Sequence, residues 1–138
     1  MIDTRGVIYK GRKEGMNPYK ERHAADTKLR TLEEAIVGAD VFIGVSSKDL
    51  LTNDMLKSMA PNPVIFAMAN PHPEVAPPRA KEIRPDSIIA TGRSDYSNQI
   101  NNVMCFPFLF RGALDVRARY VFPKLNISEF SHSKVKLN

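Results

Sequence analysis

The sequence lacks several features that would indicate other classes of protein. Its 138 residues include a single cysteine, Cys105, so an internal disulfide is excluded and a reducing cytoplasm fits. No apolar run approaches the roughly 20 residues that a membrane-spanning helix needs, and no stretch has the pattern of a signal peptide. We therefore expect a cytoplasmic protein that has no membrane partner.

Phosphate-binding and metal-binding motifs are also missing. The sequence has no GxGxxG turn and no GxxxxGK[ST] loop, which are the usual phosphate cradles at a helix N-terminus. Its histidines, His23, His72 and His132, lie far apart, and none has the spacing of a zinc site. No Ser/His/acid arrangement stands out either. The residues therefore predict neither metal ligands nor a catalytic group within the chain.

The formal net charge of +5 is concentrated near the C-terminus. From Arg117 onward there are five basic residues and one acid, Glu129, whereas the first 116 residues are almost balanced. The segment 117–138 has neither helical nor strand periodicity, and we expect it to be poorly ordered. Because no aromatic-basic platform accompanies its positive charge, we do not expect nucleic-acid binding.

Apolar strands alternate with short helices over the first 91 residues. Continuous apolar runs are typical of parallel strands buried on both faces, and helix starts are indicated by capping residues and prolines. The predicted strands are Asp40–Ser46, Val64–Ala69 and Ser87–Thr91, and the predicted helices start near Asn17, Thr31, Asn53 and Ala76. This alternation predicts βαβ crossovers and an α/β fold with a parallel sheet.

Polar residues follow each predicted strand, at the edge where open parallel sheets bind their ligands. Ser46 ends the first strand, Asn70 follows the second, and Arg93 follows the third. Two adjacent amides, Asn101 and Asn102, then precede another apolar run. They either cap the helix that follows or join Asn70 in a pocket for a polar ligand. The residues alone leave both interpretations open.

Four stretches of the sequence together carry a resemblance. They are IDTRGVIYKGR, GADVFIGVS, IFAMANPHPE and TGRSDYSNQINNVMCFPFLFRGALD, in order from about Ile2 to Val116. They closely resemble the malic enzyme family, in particular its bacterial NADP-dependent form. The resemblance implies oxidative decarboxylation of malate to pyruvate and carbon dioxide, with NADP or NAD and with Mg²⁺ or Mn²⁺. It also implies a Rossmann-type cofactor-binding domain over residues 1–116 and a divergent tail over residues 117–138.

The resemblance also implies roles for four polar residues near the predicted ligand-binding edge. Asn70 and Asn102 match amides that touch the malate carboxylates or the nicotinamide end of the cofactor. Asn101 matches the neighbour that faces the cofactor. Ser46 would lie near the nicotinamide ribose.

Three charged residues near the N-terminus match cofactor contacts of the family. Asp3 would end the second Rossmann strand and accept hydrogen bonds from the adenosine ribose hydroxyls. Lys20 matches a position at which NADP-using relatives place a lysine, whose charge would favour the 2′-phosphate, with help from Arg5. Without the resemblance, Lys20 would be interpreted as a solvated helix lysine.

The resemblance finally predicts an incomplete domain. The family's first Rossmann strand, glycine-rich turn, general-base lysine, tyrosine acid and metal-binding carboxylates all correspond to sequence before Met1. We therefore expect this chain to be inactive alone and to act with a missing upstream portion, in an enzyme that is a homo-oligomer. The alternative is a catalytically inactive remnant or a stand-alone dinucleotide-binding module.

Overall fold

The computed structural model of the chain describes residues 1–118, without the side chains of residues 102–105. The chain divides into two units, Met1–Ile100 and Asn101–Asn138. The predicted disorder after Arg117 therefore concerns residues that lie almost wholly outside the described range.

The first unit begins with a short antiparallel hairpin. Its strands are β1 (Ile2–Asp3) and β2 (Gly6–Val7), with Ile2 opposite Val7. Gly6 has a φ of +102°, and a Cβ there would lie 2.2 Å from the carbonyl oxygen of Arg30. This close approach lets the Val7 N–H donate to that carbonyl at 2.8 Å. Among the described strands, β1 pairs with β2 and does not join the parallel sheet.

A three-stranded parallel sheet follows along the chain. It consists of β3 (Val41–Gly44), β4 (Val64–Ala67) and β5 (Ile88–Thr91), in that spatial order. Val41 is aligned with Val64, which in turn is aligned with Ile88. The predicted parallel sheet and α/β class are thus confirmed, and each observed strand is slightly shorter than the predicted one.

Four short helices flank the strands, and the predicted caps explain where the first two begin. They are α1 (Pro18–Glu21), α2 (Leu32–Ile36), α3 (Asn53–Ser58) and α4 (Pro77–Ile83). The Asn17 side chain accepts from the Lys20 N–H at 2.9 Å. Thr31 and Glu34 form a reciprocal capping box at the start of α2. These contacts satisfy N–H groups that have no partner inside the helix.

The hydrophobic core lies between these helices and one face of the sheet. Its buried members come from α2, α3 and α4, from β4 and β5, and from three connecting segments. They are Ile36, Leu51, Met55, Leu56, Met59, Ile65, Ala67, Val75, Ala80 and Ile89. The first unit therefore has one contiguous core, on one side of its sheet.

The opposite face of the sheet is apolar and exposed. The side chains of Val41, Ile43 and Ile88 are 51%, 63% and 58% exposed. The prediction that the first strand of the sheet is buried on both faces was therefore wrong. Its run of apolar residues has the composition of a doubly covered strand, but in the first unit helices cover only one side.

The second unit contains a 14-residue helix, α5 (Asn102–Asp115). The rings of Phe106 and Phe110 meet edge to face at 4.7 Å, and Arg111 pairs with Asp115 one turn later at 2.9 Å. Both phenylalanines are at least half exposed. No helix in the described part of the chain is long and apolar enough to cross a membrane.

Candidate functional site

The carboxyl-terminal edge of the parallel sheet gathers the residues that follow its strands. Ser46 lies two residues beyond β3, Asn70 three residues beyond β4, and Gly92 directly after β5. Because the three strands are parallel and in register, these residues emerge at the same edge of the first unit. This is the edge at which ligands bind in open α/β sheets.

Glu74 is the buried acid beneath this edge. Its side chain has no exposed surface. One carboxylate oxygen accepts from the Ser46 N–H at 2.8 Å and from the Ser46 hydroxyl at 3.2 Å. The other accepts from the Ala69 N–H at 3.0 Å. Glu74 thus connects the residue beyond β3 to the residue that immediately precedes Asn70.

A small cavity opens beside the exposed residues of this edge. It measures about 280 Å³ and is lined by Lys48, Asp49, His72, Pro73, Ala76, Arg93 and Tyr96. Arg93 donates to the Pro71 carbonyl at 3.1 Å, which connects the loops after β4 and β5. It also binds both oxygens of Asp95, and this contact lowers the pKa of the Asp95 carboxyl and raises that of Arg93.

The amides Asn101 and Asn102 lie at the start of the second unit. Asn102 is the first residue of α5, and Asn101 directly precedes it. The expected helix is present, and it begins at the second amide rather than after both. Asn70 lies in the first unit and the two amides lie in the second. That they form one pocket with Asn70 stays a prediction.

A second cluster of polar residues lies at the hairpin, around Asp3. Its carboxylate receives the Lys20 ammonium at 2.6 Å, the Arg12 guanidinium at 2.8 and 3.0 Å, and the Arg5 N–H at 2.9 Å. The hydrogen bond from Lys20, followed by those from Arg12 and Arg5, holds the pKa of Asp3 far below its usual value. Asp3 and Lys20, both predicted as cofactor contacts, are thus brought together.

Arg12 is the member of this cluster that sequence reasoning missed. It is only 9% exposed, and beyond Asp3 it donates to the carbonyls of Gly6, Val7 and Glu14. Its position in the motif VIYKGR gave no sign of a buried cation, because a basic residue beside glycine is normally solvated. Burial is stabilised here by the carboxylate and three carbonyl acceptors.

The side chain of Arg5 lies apart from this cluster, although its backbone N–H donates to Asp3. Its side chain pairs with Glu14 at 2.9 Å, and both side chains are at least half exposed. It contributes to the wall of a cavity of about 390 Å³, together with Tyr9, Gly11, Arg12, Lys13, Glu14 and Arg30. Arg30 stacks on the Tyr9 ring at 3.6 Å. Four of these residues are cations and one is an acid, so the cavity favours anions.

Comparison with known proteins identifies the chain's relatives. The family described as "Malic enzyme, NAD binding domain" matches residues 1–132. The "Probable NADP-dependent malic enzyme" of Rickettsia prowazekii is 60% identical over 128 residues, which cover 93% of this chain and 17% of the relative. The NADP-dependent malic enzyme of Rhizobium meliloti is 57% identical, with the same coverage.

A solved structure gives the same result. The crystal structure of NAD-dependent malic enzyme from Thermotoga maritima superimposes with a TM-score of 0.72 at 42% identity, covering 81% of this chain and 31% of that one. Its level of identity and shared fold agree with the incomplete Rossmann-type domain that the resemblance predicted. The chain thus spans about a sixth of the length of the curated relatives compared above, and it belongs to the malic enzyme family, within the NAD-binding domain.

Proposed function

We propose that this chain supplies cofactor- and substrate-contacting residues of a malic enzyme, which oxidatively decarboxylates malate to pyruvate and carbon dioxide. The observation that carries the proposal is the match of residues 1–132 to the family's NAD-binding domain. NADP is the proposed cofactor, because both curated relatives are named as NADP-dependent. NAD is the alternative cofactor, since the relative from Thermotoga maritima is named as NAD-dependent.

The proposed substrate contacts are the amides of Asn70 and Asn102. An amide group offers two N–H donors, which suit the carboxylate oxygens of malate, and an oxygen that can accept from its hydroxyl. Asn70 is exposed at the carboxyl-terminal edge of the sheet, where a ligand can reach it. Asn101 is proposed to face the cofactor, and Ser46 to lie near the nicotinamide ribose.

The proposed contact with the adenosine end involves Asp3, Lys20 and Arg5. Four hydrogen bonds already fill the acceptor capacity of Asp3. The ribose can therefore bind Asp3 only if one donor leaves. A 2′-phosphate offers the Lys20 ammonium a partner of higher charge, and departure of Lys20 would free one Asp3 oxygen for a ribose hydroxyl.

Oxidation of malate also needs a base for the hydroxyl proton and a Lewis acid for the carbonyl. No group of three His, Cys, Asp or Glu side chains in the described part of the chain could hold a metal ion. The described residues thus do not fit the Mg²⁺ or Mn²⁺ that the family resemblance implies, and no step of the proposal passes through the metal. We propose that the remaining portion of the enzyme, in a cytoplasmic homo-oligomer, supplies both functions.

A chimera tests the proposal. Residues 1–116 of this chain replace the matched segment of the Rhizobium meliloti enzyme, and malate-dependent reduction of NADP is followed by absorbance. We expect turnover, and we expect Asn102→Ala to lower kcat/KM about 10- to 1000-fold through lost polar stabilisation. The control Asn53→Ala, which removes an exposed amide on α3, should leave turnover unchanged. A folded chimera without malate-dependent reduction would contradict the proposal.

A further inference from the structure

We propose that Glu74 is a positioning residue, which sets the geometry and hydrogen-bonding polarity of Ser46 and the place of Asn70 at the ligand-binding edge. This inference rests on the proposed function, since it concerns the cofactor and substrate contacts assigned there. Glu74 is the last residue of the motif IFAMANPHPE, in the proline-rich segment after β4, but the sequence assigned it no role.

The first support is that every hydrogen bond to the buried carboxylate comes from a donor at the ligand-binding edge. Glu74 has no exposed surface, and its three partners are all donors: the Ser46 N–H, the Ser46 hydroxyl and the Ala69 N–H. Three donors aimed at one buried carboxyl group match the ionised form, which only accepts. A buried carboxylate is costly unless it is hydrogen-bonded, so loss of these hydrogen bonds would destabilise the fold around Glu74.

The second support is the space made for Glu74 by the strand beside it. A Cβ at Gly44, the last residue of β3, would lie 2.4 Å from the carboxyl carbon of Glu74. The φ of Gly44 is not in the left-handed region that favours glycine. The close approach of the carboxylate therefore explains the absence of a side chain at this position. Glycine at the end of β3 leaves the space that the Glu74 carboxylate occupies.

The third support is a set of backbone hydrogen bonds that holds the Glu74 segment against the segment after β3. The Asp49 N–H donates to the Pro73 carbonyl at 3.2 Å, and the Leu51 N–H donates to the Glu74 carbonyl at 3.0 Å. The Met68 N–H donates to the Gly44 carbonyl at 3.0 Å. With the side-chain contacts of Glu74, these bonds fix the residues beyond β3 and β4 relative to each other.

The consequence for ligand recognition is a defined polarity at Ser46. The hydroxyl proton of Ser46 is directed to Glu74, so the lone pairs of its oxygen are left for other partners. The cofactor group that binds Ser46 must therefore be a hydrogen-bond donor, such as a ribose hydroxyl or the carboxamide nitrogen of nicotinamide. An acceptor such as a phosphate oxygen would meet the Ser46 lone pairs and be disfavoured.

Two variants, each made in the chimera defined above, test the inference. Glu74→Gln replaces one acceptor oxygen with a donor, and Gly44→Ala displaces the unchanged carboxylate by steric contact. The matched control is Arg84→Gln, which removes part-buried hydrogen bonds to the carbonyls of Leu56, Met59 and Ala60, and the ion pair with Asp86, all remote from the ligand-binding edge. Amide hydrogen exchange at Ser46 and Ala69 is measured by mass spectrometry of short overlapping peptides from the chimera.

We expect exchange at Ser46 and Ala69 to rise about tenfold or more in Glu74→Gln and Gly44→Ala, because bonds to a charged acceptor are lost. In Arg84→Gln, exchange at Ser46 and Ala69 should rise no more than exchange at the other amides of the sheet. Wild-type exchange at these two amides in Glu74→Gln would overturn the inference, as would an equal, uniform rise in all three variants.

Titration with NADP separates this inference from the proposed function. In the chimera defined above, Glu74→Gln should raise the Kd for NADP and the KM for malate several-fold, whereas Arg84→Gln should leave both near their original values. If the chimera fails to bind NADP, the proposed function is contradicted, while the exchange data still decide the role of Glu74. Unchanged Kd and KM in a chimera that binds NADP would overturn the inference.

Discussion

The charged residues around Asp3 show how ligand preference and stability are linked in one cluster. Lys20 and Arg12 both bind the Asp3 carboxylate, so two cations surround one acid. The cluster therefore has a net positive charge. An acid at the ribose usually repels the 2′-phosphate of NADP, and this positive charge opposes that repulsion. Lys20 is the more accessible of the two cations, with a side chain 30% exposed against 5% for Arg12. Lys20 is therefore the cation able to exchange partners.

Lys20→Gln should weaken binding of NADP more than binding of NAD in the chimera. Loss of one charge-assisted contact to the 2′-phosphate predicts about a 10- to 100-fold rise in the Kd for NADP. NAD has no such phosphate, and removal of Lys20 also frees an oxygen of Asp3. Both dissociation constants are measured by titration, with Lys57→Gln on the surface of α3 as the control. Equal losses for both cofactors would make Lys20 a structural lysine.

Acid should destabilise the chain partly through Asp3. The pKa of Asp3 is lowered in the folded state, so the carboxylate stabilises the fold above its unfolded pKa of about 3.9, and this contribution is lost as the pH falls below it. Asp3→Asn should therefore flatten the fall in unfolding free energy below about pH 4. Denaturant unfolding of the chimera between pH 3 and pH 7 measures this slope.

Asp86 provides the comparison for this experiment. Its pKa is lowered by Arg84, followed by the Asn62 N–H, at the opposite edge of the sheet. Asp86→Asn should flatten the same part of the stability profile, and the double variant should combine both effects because the sites are separate. A profile for Asp3→Asn that parallels the wild type would show that its ion pairs do not depend on folding.

Single residues were foreseen from the sequence more readily than their partners. Asp3 and Lys20 were predicted as separate cofactor contacts, but residues 17 positions apart give no sign that they form an ion pair. Glu74 was missed for the same reason, because its acceptor role depends on Ser46, 28 positions away. Sequence patterns reveal residue types and local geometry, whereas these contacts are set by tertiary packing.

At the scale of secondary-structure elements, local signals predicted the helix starts well. Capping depends on residues within one turn, so Asn17 and Thr31 could be identified from the sequence alone. Helix α3 ends at Ser58, three residues before Pro61. The backbone of Met59 is extended, because the chain already turns toward Pro61 and β4.

Thr31→Ala should destabilise the first unit through α2. The substitution removes the acceptor for the Glu34 N–H and one half of the capping box, which costs about 1 kcal/mol. Thr31→Ser keeps the hydroxyl acceptor and should remain close to the wild type. Denaturant unfolding of the chimera compares the two variants. If Ala and Ser at this position were equally stable, the cap would contribute nothing to the fold.

At the scale of the whole molecule, the sheet of the first unit is covered by helices on one face only. Its helices cover one face, where the buried core lies, while the other face presents Val41, Ile43 and Ile88 to solvent. Among the described strands, β3 has a partner only in β4, so its outer edge carries unpaired backbone groups. An apolar face beside an open edge is a template for pairing with another chain.

The chain alone should therefore self-associate and unfold without a sharp transition. Each Å² of apolar surface left in water forfeits about 25 cal/mol of burial energy, and a small domain has only about 5–15 kcal/mol of net stability. Sedimentation velocity, binding of a hydrophobic dye and a thermal melt measure these properties. A monomer with one cooperative melting transition would contradict the prediction.

A charge on the exposed face should reduce this association. Ile43→Lys places an ammonium group on β3, at a side chain that is 63% exposed, so it disfavours pairing of the edge without disturbing the core. Val37→Lys is the matched control, because Val37 is 65% exposed but lies at the end of α2 rather than on the sheet. Both variants raise the net charge equally, so general repulsion affects them alike. We expect the weight-average mass to fall in Ile43→Lys alone, and an equal fall in both variants would locate the contact elsewhere.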